Sequence, residues 1–220
     1  MASTFFGLHI GSSALSSFQV ATNTTANNIA NVKTTGYTRQ EATLQAKDAI
    51  NVTARYGSVG TGVTVTSIKQ QRDLYYDNKY WENNSCYGRY EQKLYYMEQI
   101  QNYFKDNGSS VKGFSSVFSQ MFSDLDTLRS KPSDKTVRNQ FISSAQSLCT
   151  YFNQMSDNLS KLQDDCNEEI RNNVDKINSI SEKISLLNKE INQIETGTGV
   201  EAGSLRDERA NLIDSLSKIG

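Results

Sequence analysis

Apolar residues recur along this chain at steps of three and four, the spacing of an amphipathic helix, over most of its length. The first stripe is Thr4, Leu8, Gly11, Leu15, Phe18, Thr22, Thr25 and Ile29. It is a heptad seam in which only Leu8, Leu15, Phe18 and Ile29 are large and apolar. Residues 33–70 change period. Val63, Val65 and Ser67 alternate with Thr64, Thr66 and Ile68, a strand pattern, and Gly57, Gly60 and Gly62 punctuate it as a turn or hairpin. Helical spacing then resumes in Tyr87, Tyr90, Leu94, Met97, Ile100 and Phe104, breaks at Asn107-Gly108-Ser109-Ser110, and returns in Phe114, Phe118, Met121, Leu125 and Leu128 before Lys131-Pro132.

Ser133 is placed to cap the longest helix, positions 134–195, which would reach roughly 90 Å if unbroken. Its stripe runs from Val137 and Phe141 through Phe152, Leu159, Ile170 and Val174 to Ile191 and Ile194. The four-residue steps Leu162, Cys166, Ile170 and Val174 form a stutter that unwinds any supercoil locally. Gly197-Thr198-Gly199 ends it. Ser204 with Asp207 has capping-box spacing for a last helix carrying Leu205, Leu212, Leu216 and Ile219. The fold predicted is mainly α: a long antiparallel helical bundle or coiled coil, a small β-hairpin element and a protruding N-terminal helix. The segments are 1–35 as an assembly helix, 36–72 as an extended connector and 73–220 as a helical domain.

Charge changes the picture of the first helix. No Asp, Glu, Lys or Arg precedes Lys33, and Ser, Thr and Asn supply 13 of the first 32 residues. These are poor helix formers, so a lone helix of this composition is marginal in water and gains order by packing on a partner. Two readings follow: a surface helix capping a core, or a segment disordered alone and helical in an assembly.

The uncharged stretch closes with Ala26-Asn27-Asn28-Ile29-Ala30-Asn31 and then Thr35-Gly36-Tyr37-Thr38-Arg39-Gln40. Asn side chains can bond backbone where a helix ends and tolerate left-handed conformations. Gly36 permits a positive φ in the turn, and Tyr37 brings a large ring with a polar tip to anchor it. Asn27, Asn28, Ile29 and Asn31 with Gly36, Tyr37, Thr38, Arg39 and Gln40 resemble the N-terminal signature of bacterial flagellar rod, hook and junction proteins. Rod and hook proteins pass quickly into β domains, whereas residues 73–194 here are helical in pattern. That organisation, Thr38-Arg39-Gln40 after Gly-Tyr, and Leu205-Arg206-Asp207-Glu208-Arg209 resemble the hook-associated protein 1 family, which joins hook to filament. Where that family often carries an Arg after its Gly-Val-x-Val strand, Gln70 stands here, with Arg72 two residues on.

The resemblance implies a structural subunit that self-associates in a helical axial ring through Leu8, Leu15, Phe18, Ile29 and the turn. It also implies contact with hook protein and a neighbouring junction protein, passage through the flagellar type III export apparatus, and a secreted, extracellular place at the hook-filament junction. The family continues into β-rich domains and a closing C-terminal helix, so the 220 residues are expected to be an N-terminal fragment or truncated chain. Another rod or hook axial protein, or a soluble coiled-coil adaptor, shares the heptads; the Asn-rich uncharged N-terminus and the Gly36-Tyr37 turn favour the axial class.

Other chemistry is sparse. A net charge of −1 gives no general attraction for nucleic acid or acidic membranes. No stretch is long and apolar enough to insert in a bilayer, and the N-terminus has neither the basic nor the apolar region of a general secretory signal. Cys86, Cys149 and Cys166 are odd in number and widely spaced, and are expected to be small buried apolar residues. Gly60-Thr61-Gly62 lacks the Lys and helix of a phosphate loop. His9 is the single histidine, and Asp164, Asp165, Glu168 and Glu169 read as a solvated helix face. No enzyme, metal or cofactor is expected. The tyrosines of the first long helix line either a second packing face within the bundle or a contact between subunits.

Overall fold

A computed structural model of the chain describes residues 5–51, 57–105 and 113–219. Thr4 of the seam and the break at Asn107-Gly108-Ser109-Ser110 lie outside the described residues. Helix α1 (Phe6–Ala30) is followed by strands β1 (Gln40–Ala46), β2 (Ile50–Asn51), β3 (Ser58–Val59) and β4 (Val63–Gln70), then helices α2 (Leu74–Tyr103), α3 (Phe114–Ser130), α4 (Lys135–Thr198) and α5 (Gly203–Ser217). The chain forms two compact units, Met1–Ser85 with Ile177–Gly220, and Cys86–Lys176.

In the first unit β1 pairs antiparallel with β4, from Gln40 opposite Gln70 to Ala46 opposite Val63, with a bulge at Thr43/Leu44. The short β2 and β3 pair as Ile50 with Val59 and Asn51 with Ser58. Gly57 and Gly62 take positive φ, as their place in the hairpin requires. Helix α1 lies along this hairpin. Its inward stripe mixes half-buried apolar residues, Ile10, Ala14, Val20 and Ala21, with two more deeply buried polar ones: Ser17 and Thr24 are 5% and 8% exposed, and Ser17 Oγ donates to the Val63 carbonyl. The C-terminal part of α4 supplies the apolar core of this unit in Ile180, Leu187 and Ile191, and Ala202 and Ala210 complete it at and within α5.

Helix α5 runs antiparallel to that part of α4. Arg206 pairs with Glu195 through Nε at 2.6 Å and Nη2 at 2.8 Å, and Arg209 Nη1 donates to Asn188 Oδ1. Residues of α2 reach α5 as well: Trp81 Nε1 donates to Asp214 Oδ1 at 2.7 Å, and Asn84 Nδ2 to Ser217 Oγ at 2.8 Å. The Arg206–Glu195 pair holds the Glu195 carboxyl below its ordinary range, first through the Arg206 hydrogen bonds and then through the Ala202 N–H. A carboxyl depressed in the folded state adds stability above its unfolded value and loses it as pH falls through the folded one. The melting temperature of the chain is therefore expected to drop on acidification below about pH 5, and Glu195→Gln to melt lower at neutral pH but flatten that slope, a comparison read by thermal melts across pH.

In the second unit α3 packs on the first third of α4 through Phe114 against Tyr151 and Phe152, with ring centroids 6.3 and 6.0 Å apart. Further along, Gln92 and Tyr96 of α2 both donate to Glu169, which raises the Tyr96 phenol well above its ordinary value.

Several expectations are corrected here. The stripe Tyr87, Tyr90, Leu94, Met97 and Phe104 is exposed, and α2 turns Gly88, Gln92 and Tyr96 inward instead. On α4, Phe152, Leu159, Ile170 and Val174 are also exposed, while Tyr151, Asn158, Glu169 and Asn173 sit partly buried. The stutter explains part of this, because each four-residue step rotates a straight helix about 40° past the starting face. Cys86 and Cys149 are exposed and Cys166 is only half-buried, because these positions lie off the fully buried faces of their helices. Ser133 does not cap α4; the Asp134 carboxylate, one residue later, accepts from the Thr136 N–H at 2.8 Å. Among the described residues no helix is long and apolar enough to cross a membrane.

Candidate functional site

Two features of the first unit draw together the residues singled out in the sequence: the outward face of α1 and the turn that follows it. On α1 the inward stripe is Ile10, Ala14, Ser17, Val20, Ala21 and Thr24, so the predicted apolar seam is left outside. Leu8, Leu15, Phe18 and Ile29 are 70%, 71%, 60% and 68% exposed, and Val32 just beyond the helix continues the row. The helix thus carries a second, outward apolar row that the usual surface helix lacks.

The turn is held by Asn28 and Tyr37. Asn28 Oδ1 accepts from the Gln40 N–H at 2.9 Å and from the Tyr37 hydroxyl at 2.8 Å, and Asn28 Nδ2 donates to the Gln40 carbonyl at 2.8 Å. Asn27 Nδ2 donates to the Tyr37 hydroxyl oxygen, and Asn31 Nδ2 reaches back to Asn27. One amide side chain therefore mimics a strand partner for Gln40 and fixes where β1 starts relative to α1. The asparagines act as hydrogen-bonding groups and not as left-handed residues, since among the described residues only glycines have positive φ. Asn28→Ala would remove the side-chain acceptor of both the Gln40 N–H and the Tyr37 hydroxyl and should cost about 1–3 kcal/mol; Tyr37→Phe should cost about 0.5–1.5 kcal/mol, both measured by urea unfolding.

The turn is itself docked on α5. Gly36 has φ +76°, and a Cβ there would fall 1.8 Å from Asn211 Oδ1. The Thr38 N–H donates to Asp207 Oδ2 at 3.2 Å, and Gln70 Nε2 donates to Asp207 Oδ1 at 2.8 Å and to the Gly203 carbonyl at 2.9 Å. Asp207 is buried, so its two oxygens join the turn and β4 to α5. This overturns the capping-box reading. The residue preceding α5 is Ala202, and no side chain caps the helix. Gln70 reaches Asp207 as a neutral amide, and the nearby Arg72 is paired with Asp77. Arg39 and Gln40 lie at the start of β1: the Arg39 carbonyl accepts from the Gln71 N–H, and the Arg39 side chain is exposed.

Asp207 and Asn211 are the residues that local sequence patterning missed. Their link to the turn spans 169 residues for Asp207, and the signal available was only the likeness of 205–209 to a family motif. Among the described residues no group of three or more His, Cys, Asp or Glu side chains is placed to hold a metal.

Residues 97–219 match the flagellar hook-associated protein FlgK helical domain, and residues 8–38 match the flagella basal body rod protein family. The chain is 34% identical to flagellar hook-associated protein 1 of Bacillus subtilis over its whole length, covering 44% of that protein. It is 32% identical to the Salmonella typhimurium protein of that name and 30% to that of Escherichia coli, in each case over 94% of this chain and 37% of the relative. The chain therefore spans less than half the length of these relatives.

Proposed function

The chain belongs to the flagellar hook-associated protein 1 (FlgK) family, and on that footing we propose that it is part of a structural subunit joining the hook to the filament of a bacterial flagellum. The observation that carries this reading is the exposed apolar row on the outward face of helix α1. A row of leucines, phenylalanine and isoleucine faces outward on a helix with no Asp, Glu, Lys or Arg, while the two most deeply buried residues of its inward face are Ser17 and Thr24. Such a surface suits burial against neighbouring copies in a helical axial ring. Each large seam residue contributes on the order of 1.5–3 kcal/mol if fully buried there.

In this reading Leu8, Leu15, Phe18 and Ile29 are interface residues. Asn27, Asn28, Asn31, Gly36, Tyr37, Thr38, Arg39 and Gln40 set the angle at which the seam leaves the rest of the subunit. The partners are further copies of the chain, hook protein and a neighbouring junction protein. The subunit is not a catalyst. It reaches the outside of the cell through the flagellar type III export apparatus.

Deletion of the gene in its motile host tests the proposal. Hooks without filaments, with flagellin monomers shed into the medium, are the expected result. Loss of the hook itself would move the chain to the rod or hook class, and normal flagella without a second gene copy would end the axial reading.

A further inference from the structure

Helix α3 carries an aspartate where its inward face calls for an apolar residue. That face is Val117, Met121, Asp124 and Leu128, in steps of four, three and four. The three apolar members are half-buried, and Asp124 is the buried residue of the helix at 8% exposed. Its Oδ1 accepts from Gln120 Nε2 of the same helix at 3.0 Å. Its Oδ2 is sealed from solvent and accepts no hydrogen bond among the described residues. Ser144 is a buried polar residue of α4, but its hydroxyl donates to the Phe141 carbonyl. Tyr151, whose ring lies beside Phe114 of α3, also has a sealed hydroxyl without a partner among the described residues.

A sealed polar oxygen with no donor loses its hydration and gains nothing in return, and the loss is larger for a carboxylate than for a neutral group. The Asp124 oxygen is closed off by this chain's own residues, so no solvent, other subunit or other segment reaches it while α3 keeps its place. Undocking α3 restores water to it. We propose that α3 is a strap that opens from α4 before α4 itself unfolds, and that the Asp124 carboxylate is the group that biases it open. The pivot is the connection between the two helices. There the Asp134 N–H donates to the Lys131 carbonyl, and Arg138 Nε donates to the Pro132 carbonyl at 2.7 Å. Opening bares the row Val117, Met121 and Leu128 and parts Phe114 from Tyr151 and Phe152. The strap is a property of the single chain and stands apart from the assembly reading above.

Hydrogen exchange of the purified full-length protein under native conditions, read by mass spectrometry, tests it. Amides of residues 118–129 are expected to exchange faster than those of residues 141–155. Asp124→Asn keeps the shape of the side chain and removes its charge, and should slow exchange in 118–129 by about threefold or more. Asp124→Leu completes the apolar row and should slow it by about ten- to a hundredfold, the effect of relieving one unsatisfied buried polar group. Exchange in 180–191, on the C-terminal part of α4, should be the same in all three proteins. Residues 118–129 exchanging no faster than 141–155 in the unaltered protein would overturn the strap. Unchanged or faster exchange in Asp124→Asn would overturn the role of the carboxylate, even with slowing in Asp124→Leu, because the leucine would then act through its own burial. If Asp124→Leu does not fold, Asp124→Asn alone decides.

Discussion

Gly36→Ala is expected to destabilise the chain by on the order of 2–4 kcal/mol, the largest single-methyl effect among the described residues of the turn. Two causes add. A left-handed backbone costs an L-residue about 1–2 kcal/mol, and Gly36 sits at φ +76°. The new methyl also meets Asn211 at 1.8 Å, which forces α5 or its side chain to move, a change of the overpacking kind that costs about 1–3 kcal/mol. Gly57 separates the two. It has φ +73° but nothing within 4 Å of an added methyl, so Gly57→Ala should show the backbone cost alone. Adding Asn211→Ala to Gly36→Ala should bring its loss down to that of Gly57→Ala. Equilibrium urea unfolding of these three variants and of Asn211→Ala alone reads the cycle. Equal losses for Gly36→Ala and Gly57→Ala would show that the turn is not tightly docked on α5.

That cycle also marks how far the sequence could be read. The turn was legible because its parts are local: Asn28, Tyr37 and Gln40 lie within 12 positions, and the demand for a positive φ falls on a glycine whatever surrounds it. The place where the turn docks was not legible in the same way. Asp207 stands three residues after Ser204, so helix-start chemistry offered a local use for it, yet its carboxylate is committed to Thr38 and Gln70, residues far away in the chain. The helices themselves were legible from spacing, and the C-terminal half of α4 buries the residues the spacing selects, Ile180, Leu187 and Ile191.

Elsewhere spacing identified which residues favour burial without saying against what. On α2 the row Tyr87, Tyr90, Leu94 and Met97 has the period of a core stripe and is exposed, while the inward row contains a glycine and an amide that bonds to Glu169. On α1 the predicted seam is likewise exposed, and Ser17 and Thr24 are buried beside half-buried Ile10 and Val20. A periodic apolar stripe carries no label that distinguishes a contact within the chain from one with another chain or another segment.

The exposed seam of α1 has a sharp experimental consequence. Replacing Leu15 and Phe18 together by serine should leave the stability of the single chain within about 0.5 kcal/mol for each change, because both side chains are mostly exposed. The same pair should weaken association by roughly 3–6 kcal/mol, a factor of about 10²–10⁴ in affinity, if both are buried between subunits. In the motile host the expected phenotype is loss of filaments and of swimming, with the variant still produced and folded. Substitution on the opposite face should behave in the reverse order. Ser17→Leu places a large side chain where α1 meets the Val63 carbonyl at a position 5% exposed, and should cost the single chain about 1–3 kcal/mol by overpacking and by loss of the hydroxyl bond. Thermal melts of the purified variants, set beside filament counts from the same strains, separate the faces. Swimming cells with full-length filaments in the Leu15/Phe18 double variant would remove the seam from the assembly. A large loss of monomer stability in that variant would mean that the seam is covered within the full-length chain itself.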